Sequence, residues 1–221
     1  MQQGPQMTPK PTGKMMPGLR WSLVSVGMIA MAVIVGWLIY GGAEPSVPDP
    51  GPFFFVGEED NFYENPANWQ PSYPGTNIAS NQKVVIQEPV YLTGYDLSIL
   101  GTIQIAIDAE VFSAENGISV LKDGLLINEG SMILHHLDLA GELTNRQTGS
   151  IVVKQLKAAE IAKTRNLKGG EMEVSQLLQN LGNFENYGIC KVGDTLDQHG
   201  SFRNMTGSEL YVKGEAVMLE D

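Results

Sequence analysis

The sequence predicts an all-β chain: a parallel β-solenoid with an N-terminal cap, preceded by one transmembrane α-helix. Three observations lead there. First, a phrase of glycine, any residue, apolar, any residue, apolar recurs at Gly101-Thr-Ile103-Gln-Ile105, Gly130-Ser-Met132-Ile-Leu134, Gly149-Ser-Ile151-Val-Val153, Gly170-Glu-Met172-Glu-Val174 and Gly188-Ile-Cys190-Lys-Val192. A stretched copy, Gly207-Ser-Glu-Leu210-Tyr-Val212, follows, and a shortened one, Gly117-Ile118-Ser-Val120, precedes. From Gly130 the glycines stand 19, 21, 18 and 19 residues apart, and a fixed period near twenty residues marks a solenoid. Second, a phrase ending in asparagine keeps the same period: Asn128, Asn145, Asn166 (in a degraded copy), Asn186 and Asn204. Third, residues 21–40 carry no charge, long enough as a helix to cross a bilayer core of ~30 Å.

The N-terminal elements follow in order. Residues 1–20 are rich in Gln, Pro, Gly and Met and read as a disordered cytoplasmic tail holding Lys10, Lys14 and Arg20. Trp21 stands at one end of the apolar run, and Trp37 and Tyr40 at the other, where amphipathic rings favour the membrane boundary. The next basic residue after the run is Lys83, so the positive-inside bias places the C-terminal domain outside the cytoplasmic membrane of a single-pass, membrane-embedded protein. A cleaved secretory signal ending at Gly41-Gly-Ala43 is the rival reading, although the run exceeds the usual signal core of ~7–15 residues. Ala32 and Gly36 form a small-residue pair that could pack two helices closely. Residues 41–52 hold four prolines in twelve positions and read as a semi-rigid linker.

Residues 53–100 read as the cap and first strands, with Lys83-Val-Val-Ile-Gln87 as a strand candidate. Phe62, Tyr63, Trp69 and Tyr73 are concentrated among turn formers, suited to cover the open end of a first coil. The same aromatics could instead contact a glycan. The order Asn-Pro-Ala-Asn-Trp69, Pro74-Gly75, Val84-Val85-Ile86 resembles the leading segment of bacterial cell-surface and secreted proteins with parallel β-helix repeats. The Gly/Asn repeats that follow are similar too. The resemblance implies a right-handed parallel β-helix used for adhesion, scaffolding or polysaccharide contact. The chain departs from that family in being short and in carrying the apolar run.

Residues 101–221 are assigned to the coils. Strand alternation puts Ile103 and Ile105, Met132 and Leu134, Ile151 and Val153, Met172 and Val174, Cys190 and Val192, and Leu210 and Val212 on an inward face. Stacking at ~4.8 Å per coil makes that face a continuous core. The asparagines form a corner ladder of stacked amides, with the glycines after them letting the corner turn tightly. Lys154–Arg165 has helical propensity, but the repeat keeps its phase on both sides and favours an enlarged coil.

No enzyme, metal or cofactor site emerges. The expected outward positions Gln104, Ile133, Val152, Glu173, Lys191 and Tyr211 bring no two carboxylates together at neighbouring levels, as acid–base or calcium chemistry requires. His135 and His136 alternate across a strand and cannot easily share a metal, and Glu58-Glu-Asp60 reads as a solvated acidic loop. The lone cysteine, Cys190, reads as a packed core thiol. Beyond residue 40 the net charge is −14, which opposes nucleic-acid binding. Ile133, Val152 and Ile189 are expected to form an outward apolar patch for protein contact or self-assembly. The acidic end Glu215-Ala-Val-Met-Leu-Glu-Asp221 either blunts the last strand edge by charge or leaves it free to pair. The expected function is a non-enzymatic structural or assembly protein, with a polysaccharide-binding or adhesion module as the alternative.

Overall fold

The computed structural model describes residues 51–218, all within a compact unit spanning Asp49–Asp221. The chain winds as a parallel β-solenoid of about seven turns, of the right-handed type. Each turn has three sides. The first side is built by β4 (Lys83–Ile86), β7 (Thr102–Ile105), β10 (Leu125–Asn128), β12 (Glu142–Asn145), β14 (Lys163–Asn166), β16 (Asn183–Asn186) and β19 (Ser201–Asn204), paired in parallel in that order. The second is built by β5 (Val90–Tyr91), β8 (Glu110–Phe112), the first halves of β11 (Ser131–Leu139), β13 (Ser150–Ala158) and β15 (Glu171–Asn180), then β17 (Ile189–Val192) and β20 (Glu209–Val212). The third holds β6 (Leu97–Ile99), β9 (Ile118–Val120), the second halves of the three long strands, β18 (Thr195–Gln198) and β21 (Glu215–Met218).

The inward slots stack in register. Met132, Ile151, Met172, Cys190 and Leu210 make one column, and Leu134, Val153, Val174, Val192 and Val212 the next. All are buried except Leu210 and Val212 in the last coil, which are half-buried. Ile103 and Ile105 do not belong to those columns. Their strand lies on the first side, where Ile103 stacks on Leu126 and Ile105 on Asn128. Gly117-Ile118-Ser-Val120 belongs to the third side, under Leu137 and Leu139. The residues expected to favour a helix at 154–165 complete β13, turn at 159–162 and begin β14.

Two of the glycines after the asparagines, Gly149 and Gly188, are required by space. A Cβ on Gly149 would overlap Asn145 Oδ1, and one on Gly188 would overlap the Gly170 carbonyl oxygen. Neither residue has a positive φ, so close packing at the corner, against the Asn145 amide for Gly149 and the coil before for Gly188, rather than a special turn conformation, excludes a side chain there.

The cap leads into the coils, whose first-side strands begin with β4 at Lys83. β1 (Pro52–Phe55) lies parallel on β4, and its other edge is closed by β2 (Trp69–Gln70) running antiparallel. β3 (Asn77–Ile78) lies parallel on β6. Trp69 packs edge-on against Phe55 at 5.2 Å and Tyr63 at 4.8 Å between ring centroids, and its indole N–H donates to the Tyr63 carbonyl at 2.7 Å. Tyr63 is fully buried, and its hydroxyl donates to the Gly75 carbonyl at 3.0 Å.

The expectation of a transmembrane helix ahead of the solenoid is corrected. Among the described residues no helix is long and apolar enough to cross a membrane; the helical element there is a single 3₁₀ turn at Pro66–Asn68. The expected span at 21–40, the tail at 1–20 and the membrane orientation drawn from them lie outside the described residues, as does the linker except for Gly51 and Pro52.

Candidate functional site

Outward-facing positions decide what such a rod can touch. On the second side one outward column reads Tyr91, Phe112, Ile133, Val152, Glu173, Lys191, Tyr211 from the cap end onward. Phe62 extends it through a parallel bridge to Tyr91. The first five levels, Phe62 to Val152, are therefore an unbroken apolar stripe, about 20 Å long at the coil spacing. Phe62 is 45% and Tyr91 42% exposed, while Phe112, Ile133 and Val152 are half-buried. Tyr91 meets Phe112 edge-on at 5.8 Å, and a shallow hollow between Phe62, Tyr91 and Phe112 is rimmed by Thr93 and Asn116.

Ile133 and Val152 are brought together, but Ile189 is not. It stacks on Glu171 in the neighbouring outward column, between that carboxylate and Glu209. Nor does Gln104 begin the stripe, since β7 lies on the first side, where Gln104 donates to Glu129 at 2.9 Å. Tyr91 and Phe112 were not legible as part of this surface, because β5 and β8 carry no glycine phrase. The aromatic at position 112, two residues after Glu110 and one after the inward Val111, is the trace that alternation leaves. A second apolar row was also unmarked. Leu100, Leu121, Ala140, Ala159 and Leu181 follow the third side at successive levels, each donating its N–H to the coil before, and Ala140 and Ala159 leave a hollow between the leucines. In three of these cases the residue stands immediately before a glycine, which would have identified the row.

The cap aromatics are placed differently from one another. Tyr63 and Trp69 are buried, and Tyr73 packs against the core cluster, so these three serve the cap interior. Phe62 alone of the four is exposed. Beside them Asn68 is fully buried with all its bonds made. Its Oδ1 accepts from the Glu59 and Asp60 N–H groups, and its Nδ2 donates to Asp60 Oδ1 at 2.7 Å and the Phe62 carbonyl at 3.0 Å. The Phe62 N–H, then Asn65 and Asn68, hold the Asp60 carboxyl below its ordinary range. That carboxylate, read from sequence as part of a solvated acidic loop, is a structural acceptor.

The asparagine ladder is continuous. Asn128 Nδ2 donates to Asn145 Oδ1, Asn145 to Asn166 and Asn166 to Asn186, each at 2.8 Å, and Asn186 to Asn204 at 2.7 Å. The first four are fully buried, and Asn204 is exposed. A shorter ladder on the third side, Asn180 Nδ2 to Gln198 Oε1 at 3.0 Å, was not read from the sequence. These side chains are committed to the fold.

Among the described residues no three His, Cys, Asp or Glu side chains converge as metal ligands. The His135 and His136 rings are 6.0 Å apart and near-perpendicular, with His136 turned toward Asp96 at 3.6 Å. Cys190 is buried, and burial pushes its thiol up to about 12, which withholds the thiolate that nucleophilic chemistry needs. Comparison with family models, curated proteins and solved structures finds no match for this chain.

Proposed function

We propose that this chain is a non-enzymatic structural or assembly protein that presents its solenoid as a rigid rod for protein–protein contact. The setting it resembles is the bacterial envelope, where parallel β-helix proteins with a comparable Asn-Trp and Pro-Gly leading segment serve as scaffolds. The observation that carries the reading is the stripe Phe62–Tyr91–Phe112–Ile133–Val152. Five apolar levels in a row on one side exceed the scattered apolar residues of an ordinary surface, and contiguous patches of this kind mark interaction sites. The rod beneath them is already ordered by coil stacking, so a partner that docks there pays little to rigidify it.

The test is to cross-link the full chain in its own cells, purify it in detergent and weigh what accompanies it. The Tyr91→Ser/Ile133→Lys variant should lose at least tenfold of the bound partner while its melting temperature stays within a few degrees. A wild-type chain that carries no partner, or a variant that retains it fully, overturns the reading.

The polysaccharide-binding alternative draws support from one observation, the hollow at Phe62, Tyr91 and Phe112 with Thr93 and Asn116 at its rim. On that reading the contact passes from the buried Tyr63 and Trp69 to the exposed Phe62 and Tyr91 rings.

A further inference from the structure

The two ends of the rod differ in a way that points to a second copy of this chain. At the cap end β2 closes the edge of β1. At the other end, among the described residues, no strand lies over β19, β20 or β21. The inward residues there are left uncovered: Phe202, Leu210 and Val212 are half-buried, while their counterparts one coil earlier, Phe184, Cys190 and Val192, are at most 2% exposed.

The backbone of this coil is unpaired in a regular pattern. Ser201, Glu209, Lys213 and Glu215 donate their N–H groups back to the previous coil. By strand alternation Phe202, Leu210, Val212, Ala216 and position 218 therefore turn N–H and C=O groups toward the open edge. Of these, Phe202, Leu210, Val212 and Ala216 are inward-facing positions. An antiparallel neighbour that places inward residues opposite inward residues would thus also match every free donor with a free acceptor.

We infer that two copies of this chain pair tail to tail through the last coil, about a two-fold axis that passes through Phe202 and Gly214. Such an axis reverses the winding direction, so strands meet antiparallel, and β19 faces β19 of the second copy while β20 faces β21. Phe202 then lies opposite Phe202. Leu210 lies opposite position 218, Tyr211 opposite Val217, Val212 opposite Ala216 and Lys213 opposite Glu215. One axis serves both contacts because β19 is the side across the coil from the Lys213–Gly214 corner.

Charge selects this register from its neighbours. Sliding by two residues one way sets Glu215 against Glu215, and the other way sets Tyr211 against Glu215 and Val212 against Gly214. Only the proposed register sets Lys213 against Glu215, and it does so twice. Val217 and Tyr211, 40% and 55% exposed in a single copy, cover each other in the pair. The inference deepens the assembly reading but does not depend on the lateral stripe, so the Ile133→Lys substitution should leave the tail contact intact.

Site-specific disulfides test it with the full chain in detergent, which keeps the apolar run at 21–40 from aggregating. Lys213 and Glu215 would sit in a non-hydrogen-bonded antiparallel pair with Cα atoms about 4.5 Å apart, within disulfide reach. Two copies of position 213 would lie about 8 Å apart, beyond it. Mixing K213C with E215C under mild oxidation should give a covalent dimer, and either variant alone should give at least tenfold less. The buried Cys190 does not compete. No covalent dimer in the mixture, or equal yields from the single variants, overturns the inference. As an independent arm, V217K should raise the concentration needed for dimer formation at least tenfold without changing the fold, and an unchanged dimer fraction would equally overturn it.

Discussion

At Thr164 an inward slot stacked between Leu143 and Phe184 holds a hydroxyl with no hydrogen-bond partner. It fills the degraded copy of the asparagine phrase, where other coils place Leu126, Leu143 or Phe184. Burying an unpaired hydroxyl is costly, so Thr164→Val, which keeps the branched shape, should stabilise the domain by about 1 kcal/mol. A thermal melt should rise by about 2–4 °C, and a fall would mean the hydroxyl has a partner. Cys190 gives a residue-level prediction of opposite sign with pH. Burial raises its thiol from an ordinary value of 9.0 to about 12, so its share of the stability is present below pH 9 and lost as pH rises toward 12. Tyr63, raised well above 10.0 by burial and then by Tyr73 and Glu64, adds a loss of the same sign from pH 10 upward. Stability measured by denaturant titration should therefore decline between pH 9 and 10 in the wild type, whereas in Cys190→Ala the decline should begin only near pH 10. Identical pH profiles for the two proteins would show that the thiol is not the cause.

Among the elements, the cap shows how far a short motif constrains its surroundings. Asn68 and Trp69 are adjacent in sequence but do separate work: Asn68 ties the 59–62 loop together, while Trp69 fills the space over Phe55 and Tyr63. Trp69→Ala should cost about 3–5 kcal/mol, read as a large drop in melting temperature. An unchanged melt with loss of glycan binding would instead make the cap a ligand platform. The strands were legible to different degrees for a physical reason. The alternation of β11, β13, β15, β17 and β20 follows from the glycine phrase, and their inward columns are the ones alternation gives. Yet glycines mark corners on all three sides, so the phrase alone does not say which side a strand joins. Gly101-Thr-Ile103-Gln-Ile105 resembles the second-side phrase in letters and stacks on the first-side strand ending in Asn128. Stacking partners, not local sequence, decide that assignment. β5 and β8 lack a glycine altogether, which is why the two aromatics they add to the outward stripe were not read.

Across the whole molecule, the inward faces account for most of the repeat, and the period carried them. The surfaces were less legible because outward residues are not constrained by their neighbours above and below, so any residue type can appear there. The stripe of the second side and the open last coil emerge only once levels are aligned in space. The asparagine column has one further property. Asn128, Asn145, Asn166 and Asn186 each donate toward the C-terminal end, and Asn180 donates to Gln198 in the same sense. Asn128 Oδ1 heads the column without a donor of its own, because the coil before it offers Ile105. Four side-chain dipoles, ending on the Asn204 amide oxygen, are thus aligned head to tail along the axis and polarise one another. The interior of this acidic rod is electrically directional, negative toward the cap and positive toward the last coil, much as a helix is along its own axis.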